Sequence, residues 1–296
     1  MASTGLGRSR AERVDPVSGI RETAAFVGVP TPMLTFVHRP AGDSRGAVVI
    51  CSSVYAEFTK NYRREVRLAR ALANGGIAGI RLHYRGNGNS TGDPSPLLLA
   101  NLVADISEVV GELGATYSLP TPCFLGTRVG AVVAALAAPA DAPLVLWEPV
   151  LDGDRWLKDA MRAAKISRVS RGLKDDGANP TSQTTRLEAD GVLDLLGFAL
   201  YRPLIDDVRR VRLEEVLAAR RGPTMLIQIG SASNPRPANL QMIDRLRSVG
   251  VDVEFHAAGH EVAWWFEEGG ARDFESDDEI VLPTVAWFEQ KASAGR

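Results

Sequence analysis

Runs of apolar residues alternate with amphipathic segments along most of the chain. The first complete unit has a continuous apolar run at Gly46–Cys51, a segment of helical period at 62–73 and a second apolar run at Ile77–Leu82. Short apolar runs are typical of strands buried on both faces, whereas apolar residues three and four positions apart favour a helix. The unit therefore predicts two parallel strands joined by a helical crossover.

The same alternation continues along the chain. The pattern predicts an antiparallel hairpin at 23–29 and 33–38, strands at 122–125, 144–147, 224–229 and 251–255, and helices at 97–113, 131–138, 240–249 and 280–291. Strands that alternate with helices in this way favour an α/β architecture, with a doubly wound and mostly parallel sheet.

One long segment interrupts the alternation. Between the strands at 144–147 and 224–229 the sequence is charged, helical in pattern and polar in its middle. Because it follows the carboxyl end of a strand, where open α/β sheets bind ligands, we interpret 151–222 as a helical cap or lid. The predicted organisation is a flexible leader at 1–20, a core at 21–150 and 223–296, and this insertion.

The composition limits the classes of molecule that this protein is expected to bind. The 296 residues include 34 basic and 36 acidic ones, for a net charge of −2, so no basic surface for nucleic acid is indicated. No apolar run is long enough to span a membrane, and the absence of an export signal predicts a cytoplasmic protein. Cys51 and Cys123 lie in apolar runs and are interpreted as buried small side chains. No metal or cofactor is predicted, and the expected partner is a small molecule or peptide with an anionic or acyl group.

The most informative motif is Gly126-Thr-Arg-Val-Gly130, which follows a strand and opens a small-residue helix. This is the context of the nucleophile elbow, whose usual pattern is G-x-S-x-G. The residue at its centre is Arg128, which cannot attack a carbonyl because its guanidinium stays protonated. Because the N-terminal end of a helix carries partial positive charge, a cation there requires a negatively charged group nearby. Arg128 is expected either to bind the carboxylate, phosphate or acyl oxygen of a ligand, or to form a structural salt bridge.

The chain resembles the α/β-hydrolases over residues 23–292, and within them the hydrolases encoded with bacterial exosortase systems. Three stretches carry the narrower likeness: Tyr55-Ala-Glu-Phe-Thr-Lys-Asn-Tyr-Arg-Arg64, the elbow, and Leu146-Trp-Glu-Pro-Val150. The resemblance implies the α/β-hydrolase fold, with arginine at the elbow as a feature of the group. The chain departs from that group at Ser52-Ser53, where its members have Pro-Pro.

Two residues are candidates for proton transfer. His260 follows the last predicted strand in Ala-Gly-His-Glu, the position of the catalytic histidine in this fold, and it is interpreted as a general base or as a structural loop histidine. Glu148, at the end of the strand before the insertion, is expected to orient His260, to pair with Arg128, or simply to face solvent. Asp152 in the same loop is a weaker candidate.

The loop after the first buried strand carries Ser52, Ser53 and Val54, whose backbone N–H groups are candidates for stabilising an oxyanion. Ser53 is also a candidate for a displaced nucleophile, although serines after strands are more often turn formers. Trp264, in an aromatic cluster after His260, is expected to pack in the core or to line an apolar substrate pocket. Glu57 is expected to pair with Arg63 or Arg64, or with a polar substrate.

Three functions remain open at this point. The first is an enzyme without a serine nucleophile, in which Arg128 holds the substrate while His260 and Glu148 move a proton; isomerase, epimerase, lyase and acyl-transfer chemistry in a bacterial biosynthetic pathway all fit. The second is an ester or thioester hydrolase whose nucleophile has moved to Cys51, Ser52 or Ser53. The third is a non-catalytic protein that binds a ligand in the inherited pocket.

Overall fold

A single large sheet forms the centre of the computed structural model, which describes residues 10–170, 187, 189–195, 197–230, 232–259 and 274–294. The strands of the described chain are β1 (Arg10–Val14), β2 (Arg21–Val27), β3 (Met33–Arg39), β4 (Gly46–Cys51), β5 (Ile77–Leu82), β6 (Cys123–Thr127), β7 (Leu144–Trp147), β8 (Val192–Leu195), β9 (Phe198–Tyr201), β10 (Thr224–Ile229) and β11 (Val253–Ala258).

The order of the strands in the sheet is β1-β2-β3-β5-β4-β6-β7-β10-β11. From β5 to β11 all neighbours are parallel, whereas β1, β2 and β3 pair in an antiparallel manner at one side. Every residue of β4, β5 and β10 is buried, which explains why β4 is a continuous apolar run and why β5 and β10 are apolar except for Arg81, Thr224 and Gln228. The predicted mostly parallel α/β sheet is confirmed.

Helices cover both faces of this sheet. They are α1 (Tyr55–Asn74), α2 (Leu99–Tyr117), α3 (Val129–Ala137), α4 (Gly153–Ser170), α5 (Arg202–Arg210), α6 (Leu213–Ala218), α7 (Pro237–Ser248) and α8 (Phe274–Ala294). One apolar core joins α1 and α8 to the sheet, and a larger core joins α2, α3 and α7 to it. Burial on two faces makes the fold doubly wound, as the alternation of elements predicted.

The first helix begins earlier than its apolar period indicated. The sequence predicted a loop at 52–60, but α1 starts at Tyr55. Its first two turns bury the polar side chains Glu57 and Asn61, which interrupt the apolar pattern. The Asn61 side chain donates to the Glu57 backbone oxygen at 2.9 Å, so part of the buried polarity is satisfied inside the helix.

The N-terminal interpretation needs a correction. Residues 1–20 were predicted to be a flexible leader, which is wrong for Arg10–Val14 because these residues form β1 and pair with β2. All five residues are exposed, so the strand has no apolar alternation for sequence analysis to detect. It is held by backbone pairing with β2 and by polar side-chain contacts such as that of Glu12 with Thr23. Residues 1–9 lie outside the described part of the chain.

The insertion between β7 and β10 contains strands as well as helices. Its described part comprises α4, α5 and α6 together with a two-stranded antiparallel sheet of β8 and β9. The prediction of a purely helical segment is wrong at this hairpin, whose strands are only four residues long and lie next to Gly191 and Gly197 with φ of 70° and 86°. The polar middle at 174–185 is outside the described residues.

None of the helices in the described ranges combines the length and the apolar character that crossing a bilayer requires.

Candidate functional site

The candidate site lies along one edge of the sheet, where the parallel strands end. The loops that follow β4, β6, β7 and β10 begin with Ser52, Arg128, Glu148 and Gly230. Because neighbouring parallel strands have their carboxyl ends at the same edge, four loops distant in sequence meet there. This is the edge at which the sequence placed its candidate residues.

Arg128 occupies a sharp turn between β6 and α3. Its backbone has φ of 56° and ψ of −117°, values that a non-glycine residue adopts only under strain. The Arg128 N–H donates to the Trp147 backbone oxygen at 3.0 Å, which ties the turn to the end of β7. The predicted elbow is therefore present as a strained strand-to-helix turn, with arginine at its centre.

The two glycines of the motif are required by close packing. A Cβ atom on Gly126 would lie 2.1 Å from the Gly130 backbone oxygen, and one on Gly130 would lie 2.1 Å from the Cys51 backbone oxygen. Real Cβ atoms do not approach backbone oxygens so closely. The glycines allow α3 to start directly against the ends of β4 and β6, which holds the Arg128 side chain above the sheet.

A buried carboxylate compensates the charge of Arg128. The Arg128 Nε donates to Glu57 Oε1 at 3.3 Å, and a terminal guanidinium nitrogen lies 3.5 Å from the Glu148 backbone oxygen. Trp156, in the first turn of α4, donates from its ring nitrogen to the same Glu57 oxygen at 3.0 Å. All three side chains that meet at this oxygen are at most 6% exposed. The acidic side chain that was expected to compensate Arg128 is thus Glu57 of α1. The sequence analysis had instead expected Glu57 to pair with Arg63, Arg64 or a polar substrate.

Glu148 has other partners than the sequence analysis considered. Its Oε1 accepts from the Arg236 guanidinium, and its Oε2 accepts from the Ile229 N–H at 2.8 Å. Its backbone also adopts a positive φ of 43°. The alternative of a solvent-facing Glu148 is wrong, since the residue is only 6% exposed. Its carboxylate instead joins the end of β10 to the loop that carries Arg236.

The candidates for a displaced nucleophile are buried and bonded. The Ser52 hydroxyl donates to Glu65 Oε2 at 2.6 Å, and the Ser53 hydroxyl donates to the Thr127 backbone oxygen at 2.8 Å. The Glu65 carboxyl that accepts from Ser52 has a pKa that is raised by burial. Burial likewise raises the pKa of the Cys51 thiol, which disfavours the reactive thiolate.

The third residue of the predicted oxyanion loop lies at the start of α1. Val54 is the N-terminal cap residue of α1, is 4% exposed and accepts the Phe58 N–H at 3.4 Å through its carbonyl oxygen.

A cavity of about 480 Å³ adjoins the elbow. Arg128, Glu148 and Arg236 contribute to one part of its wall, and the start of the insertion, with Asp152 and Trp156, contributes to another. Asp152 accepts the Arg155 N–H at 3.0 Å and so caps α4. The cavity has the size of a small-molecule site and contains both charged and apolar walls.

Two predicted site residues, His260 and Trp264, lie outside the described residues. The described chain reaches Gly259, directly after β11, which is the outermost of the described parallel strands. The predicted role of His260 stays a prediction.

Sequence analysis missed two residues that contribute to the site. Arg236 lies in the loop after β10, where the acid of this fold usually occurs, and the absence of a carboxylate from that loop was the available signal. Trp156 carried no signal, because an aromatic residue in an amphipathic helix is by default a core residue. Both contact a carboxylate that precedes them by more than eighty residues.

Comparisons with known proteins agree with this geometry at the level of the fold. No family model matches the chain, and no curated protein matches it. Est1E from Butyrivibrio proteoclasticus, in a structure with ferulic acid bound, is 17% identical and has a TM-score of 0.63; the match covers 92% of this chain and 100% of that one.

Two further solved structures give the same result. A proline iminopeptidase from Mycobacterium smegmatis is 14% identical, with a TM-score of 0.61 and coverage of 92% of this chain and 100% of that one. An esterase from Pyrococcus furiosus is 14% identical, with a TM-score of 0.57 and coverage of 96% and 92%. Likeness at such low identity shows the fold alone. Together with the strand order and the elbow, it shows that this chain has the α/β-hydrolase fold.

Proposed function

We propose that this protein is an atypical enzyme of the α/β-hydrolase fold that works without a serine nucleophile. Arg128 binds a carboxylate or carbonyl oxygen of a small substrate in the cavity above the elbow, and His260 transfers a proton. The observation that carries the proposal is that the residue at the strained elbow, in the wall of the 480 Å³ cavity, is an arginine.

The chemistry follows from the groups at the elbow. A guanidinium cannot form an acyl intermediate, but its planar donors bind and polarise an oxyanion. The backbone N–H groups at the start of α3 lie beside it and favour negative charge. Such a site stabilises an enolate or a similar oxyanion while a base removes a neighbouring proton. Isomerases, epimerases and lyases use an enolate of this kind, whereas in acyl transfer the oxyanion belongs to a tetrahedral intermediate and the base takes the proton of the attacking group.

In this proposal, Glu148 positions a second arginine next to the substrate. Its carboxylate holds Arg236 at the cavity wall, so a second cation is available near the substrate oxygen. Assistance of His260 by Glu148 stays a prediction.

A second candidate, an ester or thioester hydrolase with a relocated nucleophile, is favoured by the esterase and peptidase folds among the structural neighbours. Against it, Cys51, Ser52 and Ser53 are each no more than 1% exposed. A non-catalytic binding protein is the third candidate, since the ion pair of Arg128 with Glu57 is compatible with a purely structural arginine.

Calorimetric titration with benzoate, a simple carboxylate, tests the role of Arg128. Removing Arg128 alone leaves Glu57 as a buried, uncompensated charge, which costs about 3–5 kcal/mol of stability. The informative variant is therefore Arg128→Gln combined with Glu57→Gln, with Arg221→Gln as a control that loses an exposed pair with Asp141.

We expect benzoate to bind the wild type and the control equally, and the double variant at least about tenfold more weakly. Equal affinity in all three proteins would show that the elbow arginine takes no part in anion binding. Adding His260→Ala separates binding from catalysis, because that change is expected to abolish turnover of a substrate and to leave benzoate affinity intact.

A further inference from the structure

A single carboxylate oxygen joins three separate parts of the molecule. Glu57 Oε1, on α1, accepts from Arg128 Nε at the elbow at 3.3 Å and from Trp156 Nε1 on α4 at 3.0 Å. The other oxygen, Glu57 Oε2, is buried and has no hydrogen-bond partner among the described residues. Both observed bonds of this carboxylate therefore depend on the position of one atom.

We call the contact of Glu57 with Arg128 and Trp156 the junction, and its contribution to stability depends on its burial. Glu57, Arg128 and Trp156 are 4%, 6% and 5% exposed. In such a site the carboxylate is little screened by water, and the loss of one donor leaves a buried group poorly satisfied. A group with two donors on one oxygen responds to the loss of either, so the two bonds are coupled.

The junction also connects the insertion to the core. Trp156 belongs to α4, which follows the loop 148–152 after β7 and packs through Leu157 and Ala160 on the apolar core. Gly153 at its start lies against α5, because a Cβ there would meet the Val208 backbone oxygen at 2.5 Å. The described part of the insertion is thus linked to the elbow through the bond of Trp156 to Glu57.

We propose that Glu57 is the positioning residue of the elbow arginine and that, through Trp156, it couples the position of Arg128 to that of the cap helix α4. A ligand that contacts Arg128 then also alters the stability of α4, and the reverse holds by reciprocity. This last consequence rests on the proposed function; the coupling itself does not.

Three substitutions separate the components of the junction. Trp156→Phe keeps an aromatic ring and removes the donor. Arg128→Met removes the guanidinium and keeps an unbranched side chain. Glu57→Gln keeps an oxygen that accepts from Trp156, whereas Glu57→Ala does not. A matched control is Trp287→Phe, because Trp287 donates to Glu254 at 2.7 Å in a similar bond on another side of the molecule.

Amide hydrogen exchange of the unliganded full chain is the decisive measurement, read in peptides from the first half of α4, with α2 as an internal reference. We expect Trp156→Phe and Arg128→Met each to accelerate exchange in α4 by at least about threefold, although Arg128 is not part of that helix. Together they should accelerate it by less than the product of the two single effects. Glu57→Gln keeps an acceptor for Trp156 but removes the charge that compensates Arg128, so it should accelerate α4 exchange less than Glu57→Ala does, while Trp287→Phe leaves α4 unchanged.

The coupling is overturned if Arg128→Met leaves α4 exchange unchanged, or if the double variant shows the full product of the single effects. Circular dichroism of each variant establishes that it is folded before exchange is compared. Benzoate titration of Trp156→Phe adds a functional readout, with an expected loss of affinity of about threefold although no charge is removed. Coupling in the unliganded protein without benzoate binding to the wild type would uphold this inference and refute anion binding by Arg128.

Discussion

At the scale of the residue, an arginine at the centre of the elbow determines what the site requires. A serine there is small and neutral, whereas Arg128 introduces a long cation beside a helix N-terminus. The compensating negative charge comes from Glu57 of α1, whose Oε1 accepts from Arg128 and also from the Trp156 ring N–H. The arginine is therefore built into a buried polar junction and does not extend into solvent.

The need for such a partner followed from the sequence, but its identity did not. Glu148 was the nearer candidate because it ends the strand beside the elbow, yet its carboxylate is bonded to Arg236 and to the end of β10. The choice between two carboxylates depends on the directions of side chains in space. Local sequence patterns describe which residues share an edge of the sheet and contain no information about those directions.

At the scale of the element, the turn from β6 to α3 tolerates no side chain at Gly130. We expect Gly130→Ala to lower the free energy of unfolding by about 3 kcal/mol or more, because its Cβ would collide with a backbone oxygen of β4 and one of two packed elements must shift. Chemical denaturation of the purified variant measures this change.

The matched control for that prediction is Gly111→Ala. Gly111 lies inside α2, and a Cβ atom there would meet nothing within 4 Å. Alanine at such a position stabilises a helix by about 0.5–1 kcal/mol relative to glycine. Equal effects of the two alanines would contradict the tight packing at the elbow.

Elements whose apolar pattern matches their burial were predictable, and others were not. The fully buried strand β4 coincides with a continuous apolar run, and β5 and β10 are apolar except for Arg81, Thr224 and Gln228. The start of α1 was missed because it buries polar residues, and β1 was missed because all five of its residues are exposed. Buried polar groups and an exposed strand leave no periodic apolar signal.

At the scale of the whole molecule, the order of the sheet decides which loops meet. The central position of β4, between β5 and β6, brings the ends of β4, β6 and β7 together. The alternation of strands and helices predicted parallel pairing but contained no strand order, so the sequence could place its candidates at strand ends without showing which of those ends are neighbours.

Whole-molecule stability should depend on pH through a buried histidine. Burial, with a contribution from the nearby Arg81 charge, lowers the pKa of His38 from 6.5 to about 4. The unfolded chain then binds more protons than the folded one between these values. The free energy of unfolding therefore falls as the pH decreases from 6.5 towards 4, by at most about 1.4 kcal/mol per pH unit for this histidine.

The measurement is the slope of unfolding free energy against pH for the wild type and for His38→Gln. Other groups titrate in the same range: burial also lowers the pKa of His83 to about 4 and raises the pKa of Glu65. Their contributions are common to both proteins and cancel in the comparison. We expect a shallower slope in the variant between pH 6.5 and 4.5, and equal slopes would contradict a neutral, buried His38.

The proposed function requires that a protein with arginine at the elbow does not carry out serine-hydrolase chemistry. Its most direct test is the intact mass of the purified protein after exposure to a fluorophosphonate probe, with simple aryl esters assayed alongside and an active serine hydrolase as the control for the probe. We predict an unchanged mass and no ester turnover, because Arg128 stands at the elbow and Ser52 and Ser53 are buried and bonded. A single covalent adduct on one serine, together with ester hydrolysis that is lost when that serine is replaced, would contradict it.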